Sequence, residues 1–596
     1  MTMSSRPPAR LPVQAGAPWR LPPPWWPAWR RHDLPGDVSA GVVVAVMLVP
    51  QSLAYAMLAG LPPHVGLMAS LLPLLAYAVF GSSAVLSVGP AAITSLMVAQ
   101  SLSPLADVGS SAYMALSAML AAGVGLLLML MGVLRMGFLS QLMSRPVVQG
   151  FTVASALLIM AGQLAPILGW SRFGYNLPQM FQSVAQHVQW ASDRPWMDVR
   201  FGDFAVGTSA LLMLGLGPRL LTVLWRGAGC SAPALQIAVR LWPLAVLLTS
   251  TAMAGLIHQH TAWSVTQVGE VHMTLDSMGR TFAGLGELPH LPVISLLVPV
   301  VLVSLVTFVS SMSVAQTYAI KSGARVDADR ELLGLGLANL GSTLMGGMAV
   351  AGGLSRTVVN EAAGAKSPLA GVITTGVLAV MLCVLMPWLA WLPRAALSAV
   401  VIMAVVGLVE FGGLRRAWRY DRAEAWAFVT TALGVLLIGF DVGILMGIAW
   451  SLGTLIWRHS QPHMAEVGRL PGTHHFRNVA RHEVECLPGV LMVRVDESLD
   501  FTNIQQVEQR LCELVHGSDP IRSVVLLLSA VNHIDHSAMT ALIELDDALQ
   551  AQGMSLMLAE MKGPVMDRMQ RGDLDQRFKG RIYLSAQHAW EDLVVR

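Results

Sequence analysis

Apolar positions follow one another in long runs over most of the chain, between about residue 38 and residue 458. Three of these runs, at 113–134, 293–309 and 369–392, approach or reach the ~20 residues that a helix needs to cross the ~30 Å hydrocarbon core of a bilayer. Runs of this kind recur often enough for about ten to fourteen spans. The pattern therefore predicts a polytopic α-helical membrane protein over this part of the chain.

The pattern changes after Arg458, where charged residues return and apolar runs become short. Residues 490–495 and 523–528 are rich in β-branched and aliphatic side chains, which predicts strands, and 504–515 and 537–552 have the spacing of amphipathic helices. Alternating strands and helices predict a small α/β domain. The predicted divisions are an N-terminal tail at 1–34, a transmembrane domain at 35–458, a linker at 459–488 and the α/β domain at 489–596.

Two apolar runs are interrupted by glycine-containing segments, Leu-Ser-Val-Gly-Pro-Ala-Ala at 86–92 and Gly-Gly-Leu-Ser-Arg-Thr at 352–357. In membrane transporters, paired interrupted segments in matching halves indicate half-helices that meet near mid-membrane and direct their N–H groups at a ligand. A helix start carries roughly half a positive charge. Arg356 adds an intramembrane charge, which by itself indicates a functional site. The predicted ligand is an anion.

Composition and charge agree with a membrane protein, since 54% of the residues are hydrophobic and only 12% are charged. Basic residues gather in alternate connections, which the positive-inside rule places in the cytoplasm. The four groups are Arg135 and Arg145; Arg219, Arg226 and Arg240; Lys321, Arg325 and Arg330; and Arg415, Arg416, Arg419 and Arg422. The tail and the α/β domain are expected on the same side. The net charge of +2 is uninformative, and no basic stripe indicates nucleic acid as a partner.

Motifs of enzymes and metal sites do not occur in the sequence. The four cysteines have no metal or redox spacing, and the paired His474 and His475 have no cysteine or acidic partner in a recognisable arrangement. No catalytic triad, P-loop or zinc hydrolase signature is found. We therefore expect no enzyme activity, no cofactor and no metal.

Several long blocks resemble the SulP anion transporters, the sulphate permease and solute-carrier family, in the order in which that family has them. DVSAGVVVAVMLVPQSLAYAMLAGLPPHVGLMASLLP begins at Asp37 and is followed by GSSAVLSVGPAAITSLM. Further blocks are SRPVVQGFTVASALLIMAGQL at 144–164, DADRELLGLGLANLGSTLMGG at 327–347, GGLSRTVVNEAAGAKSPLAG at 352–371 and DRAEAWAFVTTALGVLLIGFDVGILMGIAWSL at 421–452. SAVNHIDHSAMTALIEL at 529–545 resembles the signature of the STAS domain that closes most family members.

The resemblance implies fourteen spans in a seven-plus-seven inverted repeat, divided into a core and a gate domain and followed by a cytosolic STAS domain. It also implies a homodimer in the lipid bilayer. The anion site would lie between the starts of the third and tenth spans, and the anion would cross by an elevator-like movement of the core against the gate.

Seven residues match positions that form the anion pocket in the family. Gln51 offers an amide donor, Tyr55 an aromatic wall, and Arg356 a positive field in a low-dielectric setting. The complete set is Gln51, Tyr55, Gly89, Pro90, Ala91, Ser355 and Arg356. Glycine lets the backbone approach the ligand, and Ser355 adds a donor.

Two further residues are candidates for ion coupling and for regulation. Many relatives place a carboxylate in the eighth span where this chain has Ser310, so the coupling position lacks its acid. Symport with protons or sodium ions is disfavoured, and exchange or uncoupled flow is favoured, unless Glu361 or another acid substitutes. Ser537 aligns with a serine that is phosphorylated in bacterial anti-sigma-factor antagonists of the STAS fold, which makes it a candidate regulatory site.

The sequence thus predicts a secondary transporter of the bacterial inner membrane. Its substrate would be a small inorganic anion, with sulphate first and bicarbonate next, or a carboxylate such as fumarate. Two alternatives stay open at this point: a channel-like chloride pathway, and a membrane signalling scaffold that uses its STAS domain without flux.

Overall fold

A computed structural model of the chain describes residues 25–26, 29–141, 144–170, 174, 176–193, 200–227, 232–261, 263–269, 293–517 and 520–595. Most of the predicted N-terminal tail therefore lies outside the described residues. The described part divides into two compact units, Met1–Ser451 and Leu452–Arg596.

The first unit is almost entirely helical, because its apolar runs satisfy their backbone hydrogen bonds within each helix. Its first nine helices are α1 (Leu34–Leu58), α2 (Pro63–Met68), α3 (Leu72–Phe80), α4 (Ala92–Leu102), α5 (Ser111–Val133), α6 (Arg145–Leu168), α7 (Leu177–Asp193), α8 (Phe201–Gly227) and α9 (Ala232–His260). The next eight are α10 (Val293–Ser322), α11 (Ala328–Leu344), α12 (Leu354–Ala362), α13 (Leu369–Leu389), α14 (Arg394–Val406), α15 (Gly412–Tyr420), α16 (Arg422–Leu437) and α17 (Phe440–His459).

Eight helices of the described residues are long and apolar enough to cross a membrane. Three shorter apolar helices, Ala92–Leu102, Leu369–Val384 and Arg394–Val406, lie between them. Membrane-spanning structure is thus present throughout the first unit, while the number of fourteen spans stays a prediction.

The helices of this unit pack in two groups. In the first group, α11 packs against α5 and α3, and α1 packs against α13 and α12. In the second group, α6 packs against α16 and α14, and α8 packs against α9 and α14. Close approach between helices uses small residues, as is usual in membranes: a Cβ at Gly150 of α6 would lie 2.4 Å from the Phe428 carbonyl oxygen of α16. Helix α1 also contacts α14 and α9 of the second group, and the division into core and gate stays a prediction.

Two buried carboxylates fix the connections of the first group. Glu331 at the start of α11 accepts hydrogen bonds from the Tyr77 hydroxyl and from the Ser82 and Ser83 N–H groups, at 2.8 to 3.0 Å. Asp37 of α1 accepts from the Lys366 N–H at 2.7 Å. Because both carboxylates are fully buried and hydrogen-bonded, each ties a loop to a helix that is distant in sequence.

The second unit contains one six-stranded sheet in the order β4-β3-β5-β6-β7-β8. Its strands are β3 (Met464–Arg469), β4 (Phe476–Asn478), β5 (Val490–Val495), β6 (Ser523–Leu527), β7 (Ser555–Ala559) and β8 (Ile582–Tyr583). Its helices are α18 (Ile504–His516), α19 (His536–Ala551), α20 (Gly563–Arg571), α21 (Leu574–Arg577) and α22 (Ala586–Val595). Strands β5 to β8 are parallel, and β3 and β4 are antiparallel additions at the other edge.

Alternate residues of the central strands enter two separate cores, as the period of two in a strand requires. Val493 and Leu526 pack with the apolar faces of α18 and α19, whereas Met492 and Val525 pack with Trp590 of α22. Helices therefore cover both faces of the parallel sheet, which is the usual condition of such sheets.

The segment 459–488 differs from the predicted linker, because it contributes β3 and β4 to this sheet. Met464 pairs with Val495 and Glu466 with Val493. Ala465 and Val467 of β3 are buried in one core, Met464 packs partly against the other, and Glu466 and Gly468 break the apolar run. The apolar signal was too weak for a strand to be predicted from it.

Candidate functional site

The two glycine-containing segments meet in the first unit. Each forms a two-residue strand, β1 (Val88–Gly89) and β2 (Ala351–Gly352), and the strands pair antiparallel with Val88 opposite Gly352. The Gly353 N–H also donates to the Ser87 carbonyl at 3.0 Å. Helices α4 and α12 begin directly after these strands, so the predicted meeting of two half-helices is present in the structure.

Both half-helix starts present unbonded N–H groups. The N-cap residues are Ala91 for α4 and Gly353 for α12, and among the described residues no side chain caps either start. The first intrahelical bonds are those from Ser95 to the Ala91 carbonyl and from Thr357 to the Gly353 carbonyl. The backbone N–H groups of the first three residues of each helix therefore have no acceptor within their helix, as in helix starts that bind anions.

Arg356 connects the two half-helices. Its side chain is 1% exposed, one terminal nitrogen donates to the Pro90 carbonyl, and the other donates to the Ala351 carbonyl at 3.4 Å. Among the described residues it has no carboxylate partner, and its Nε has no hydrogen-bond acceptor. A buried charge without a counterion is costly. The site therefore favours an anion.

Two glycines give the guanidinium its space. A Cβ at Gly353 would lie 2.7 Å from one terminal nitrogen of Arg356, which is closer than real contacts allow. A Cβ at Gly89 would lie 3.5 Å from the same group, which is an ordinary contact. An alanine at position 353 would therefore have to displace the end of the Arg356 side chain, whereas an alanine at position 89 would leave it in place.

Gln51 and Tyr55 lie one turn apart on α1, which packs against α12. They are 4% and 5% exposed. The Tyr55 hydroxyl is within electrostatic reach of Arg356. The Gln51 Oε1 atom has no hydrogen-bond partner among the described residues. Gly89 and Pro90 are buried as well, and Ala91 and Ser355 are half-buried at the helix starts.

Three side chains that sequence reasoning missed hold the two segments in place. The Ser311 hydroxyl of α10 accepts from the Gly352 N–H at 2.8 Å. The Thr357 hydroxyl accepts from the Ser87 N–H at 3.2 Å and donates to the Gly353 carbonyl at 2.7 Å. The Asn360 amide donates to the Val85 carbonyl at 2.9 Å. Polar residues in an apolar helix were the available signal.

Ser310 precedes Ser311 on α10, so the predicted coupling position lies on the helix that contacts the site, but its side chain points in a different direction from that of Ser311. Its hydroxyl donates to the Val306 carbonyl of its own helix at 2.6 Å. Glu361, the acid that was considered as a substitute, is exposed in the last turn of α12. It is therefore no part of the buried cluster.

An open cavity of about 760 Å³ lies between the two helix groups, and its walls come from both. Leu58 of α1 and Leu96 of α4 line one side, and Arg394 at the start of α14 lines the other. Arg200, just before α8, also lines it and donates to the Thr266 hydroxyl at 2.9 Å. Asp203 lines the same cavity and accepts from Thr266, so the two arginines leave a small excess of positive charge on its walls.

The second unit contains the candidate regulatory residue. Ser537 is exposed in the first turn of α19, where Asp535 caps the helix by accepting from the Ala538 N–H at 2.8 Å. Its phosphorylation stays a prediction. No cluster of three or more metal-ligating side chains occurs among the described residues.

Fold and site together define a polytopic membrane protein with two facing half-helices, joined to an α/β domain. The chain belongs to the sulfate permease family, whose family model matches residues 34–431. The STAS domain model matches residues 481–589. The predicted family and fold class are confirmed.

Known proteins that are similar to the chain agree with this family assignment. It is 33% identical over 538 residues to "Sulfate transporter 4.1, chloroplastic" of Arabidopsis thaliana, covering 88% of this chain and 74% of that protein. It is 30% identical to a "Probable sulfate transporter" of Mycobacterium tuberculosis, covering 95% and 96%. A solved structure of SLC26A9 has a TM-score of 0.83 at 19% identity, covering 96% of this chain and 92% of that chain. The transmembrane domain of the cyanobacterial bicarbonate transporter BicA has a TM-score of 0.57 at 19% identity, covering 71% and 99%.

Proposed function

We propose that this protein is a secondary transporter that carries a small oxyanion, with sulphate first, across the inner membrane of a bacterium. The observation that carries the proposal is the buried Arg356 between two uncapped half-helix starts. Relatives named as sulfate transporters support the substrate class.

Electrostatics favour a divalent anion at this site. Two helix starts at roughly half a charge each and one guanidinium sum to roughly two positive charges. Sulphate carries two negative charges and presents oxygens on every side, so it can accept from both starts at once. Bicarbonate and fumarate are the next candidates, because chloride lacks oxygens to divide between the two helices.

The transport step is proposed to follow from the two helix groups. The half-helices and α1 belong to the first group, and the large cavity lies between this group and the second. Movement of the first group against the second would carry the bound anion from one side to the other. We further propose a homodimer with the tail and STAS domain in the cytoplasm, and exchange of anions as the mode of transport, because Ser310 offers no coupling acid.

Radiolabelled uptake into proteoliposomes tests this function. We expect sulphate to enter vesicles that are preloaded with an anion, and the Arg356→Gln variant to raise the KM for sulphate roughly 10- to 100-fold, because a hydrogen-bonded charge is worth ~1.5–3 kcal/mol. The Arg356→Lys variant keeps the charge and is expected to recover part of the affinity.

Thermal unfolding of both variants in detergent shows whether a loss of uptake reflects loss of fold. Wild-type rates in a folded Arg356→Gln variant would contradict the electrostatic site. Ionic currents far above carrier turnover would indicate a channel, and an intact protein without flux of any anion would indicate a scaffold.

A further inference from the structure

Helix α15 (Gly412–Tyr420) has a composition that differs from every spanning helix of the chain. Its sequence GGLRRAWRY contains three arginines and two aromatic residues in nine positions. It lies between α14 and α16 and packs on α16 and on the start of α6. A Cβ at Gly413 would lie 2.2 Å from the Gln149 Oε1 atom, so this face of the helix is closely packed.

The exposed surface of the helix carries aromatic and cationic side chains together. Phe411, Trp418 and Tyr420 are 56%, 47% and 90% exposed. Arg415, Arg416 and Arg419 are exposed beside them. Large aromatic groups next to arginines are typical of a helix that lies in the membrane interface, with its apolar groups among acyl chains and its cations at the headgroups.

A groove runs along this exposed surface. It is a shallow, open depression of about 660 Å³ lined by Phe411, Gly412, Leu414, Arg415, Trp418 and Arg419. Arg415 and Arg419 are one turn apart and therefore neighbours on the helix surface. The groove thus combines an apolar floor with two adjacent cations.

These two arginines carry uncompensated charge. Among the described residues, Arg416 reaches Glu410 at 3.9 Å, whereas Arg415 and Arg419 are in no ion pair. The Asp421 carboxylate, which follows the helix, accepts from the Ala423 N–H at 2.9 Å as the cap of α16. Two neighbouring guanidinium groups therefore face outward with no internal partner.

Three tryptophans mark the level of the interface. Trp418 and Trp426 have ring centroids 5.9 Å apart, and Trp426 and Trp450 are 6.5 Å apart. Each is 39% to 47% exposed. Rows of exposed tryptophan occur where the hydrocarbon meets water. The arginines of this connection place it on the cytoplasmic side, where the leaflet contains anionic lipid.

We propose that α15 and its groove bind one anionic phospholipid of the cytoplasmic leaflet. Arg415 and Arg419 contact the headgroup phosphate, and Phe411, Leu414 and Trp418 contact the first carbons of an acyl chain. This site is separate from the proposed anion site, because its residues belong to the second helix group, whereas Arg356 belongs to the first.

Native mass spectrometry of the full-length protein in detergent tests the proposal, with phosphatidylglycerol and phosphatidylcholine as probes. We expect the wild type to retain phosphatidylglycerol in preference to phosphatidylcholine. The Arg415→Gln/Arg419→Gln variant is expected to lose roughly thirty-fold in affinity for phosphatidylglycerol, while phosphatidylcholine binding is unchanged.

The matched control is Arg477→Gln/Arg481→Gln, which removes two exposed arginines from the second unit and is expected to bind phosphatidylglycerol as the wild type does. Arg415→Lys/Arg419→Lys is expected to restore most of the binding. Equal retention of both lipids by the wild type would overturn the proposal. Equal losses of phosphatidylglycerol affinity in the test variant and the control would also overturn it. Displacement of phosphatidylglycerol by inorganic phosphate at a tenfold lower concentration than that of the lipid would overturn it as well.

Discussion

At the scale of single residues, Arg356 has two roles that usually fall to different side chains. It binds carbonyl oxygens of both glycine-containing segments, and it leaves its charge buried without a carboxylate among the described residues. The same guanidinium therefore joins the half-helices and provides the field between them. Substitutions of its neighbours can separate these roles.

Gly353→Ala tests the space around the guanidinium. The added methyl group would lie 2.7 Å from Arg356 and must displace it, so we expect the sulphate KM to rise at least tenfold. Gly376→Ala in α13 is the matched control, since its added methyl group would meet no described atom within 4 Å. Proteoliposome uptake measures both. Equal effects of the two substitutions would show that the Arg356 position does not depend on Gly353.

At the scale of elements, the sequence predicted the half-helices but not what holds them. The interruptions of the apolar runs at Gly89-Pro90 and Gly352-Gly353 can be recognised from the sequence alone. Both predicted helix starts are present in the structure. Ser311, Thr357 and Asn360 could not be chosen beforehand, because a polar residue in a helix gives no sign of which distant backbone group it meets. The pairing of β1 with β2 was equally hidden, since two-residue strands have no periodicity.

In the second unit, Asp546 connects α19 with Arg577 at 3.0 Å and with Arg581 at 2.6 Å, and it is fully buried. Burial raises the pKa of this carboxyl, but the hydrogen bonds from Arg581 and Arg577 outweigh that effect, so its pKa lies below the usual value. The stabilisation is therefore present above the unfolded-state pKa of ~3.9 and is lost as pH falls through the lower folded-state pKa.

Pulse-labelled hydrogen exchange after incubation between pH 7 and pH 3 measures this effect. We expect Asp546→Asn to lower the protection of β6 and β7 at pH 7 by about 3 kcal/mol and to flatten its acid dependence. Asp547→Asn is the control, because Asp547 is 62% exposed and pairs only with Arg577 among the described residues. If the protection of β6 and β7 in Asp546→Asn still falls steeply at acid pH, another carboxyl is responsible for the loss.

At the scale of the whole molecule, the chain combines a membrane unit with a separate α/β unit, and each has its own apolar core. The membrane unit lacks a carboxylate at Ser310, beside the residue that binds Gly352. Coupling to an ion gradient would need a charge at this place that appears and disappears during transport. The protein is therefore proposed to exchange anions.

Ser310→Asp introduces that charge. We expect sulphate uptake by this variant to be stimulated several-fold by an inward proton gradient, because protonation would remove a negative charge that the variant adds to the helix contacting Gly352. Sulphate uptake by the wild type and by the Ser310→Asn variant is expected to be independent of the proton gradient. Sulphate accumulation by the wild type under a proton gradient alone would show that another acid provides the coupling.

The unpaired guanidinium also has a consequence for membrane voltage. Because a helix dipole carries no net charge, a carrier loaded with sulphate would move about one net negative charge, whereas the empty carrier would move the single positive charge of Arg356. Each elementary charge that crosses 100 mV changes the energy by ~2.3 kcal/mol. An inside-negative potential would thus hold the empty site toward the cytoplasm, and the return to the outside would proceed fastest with an anion bound.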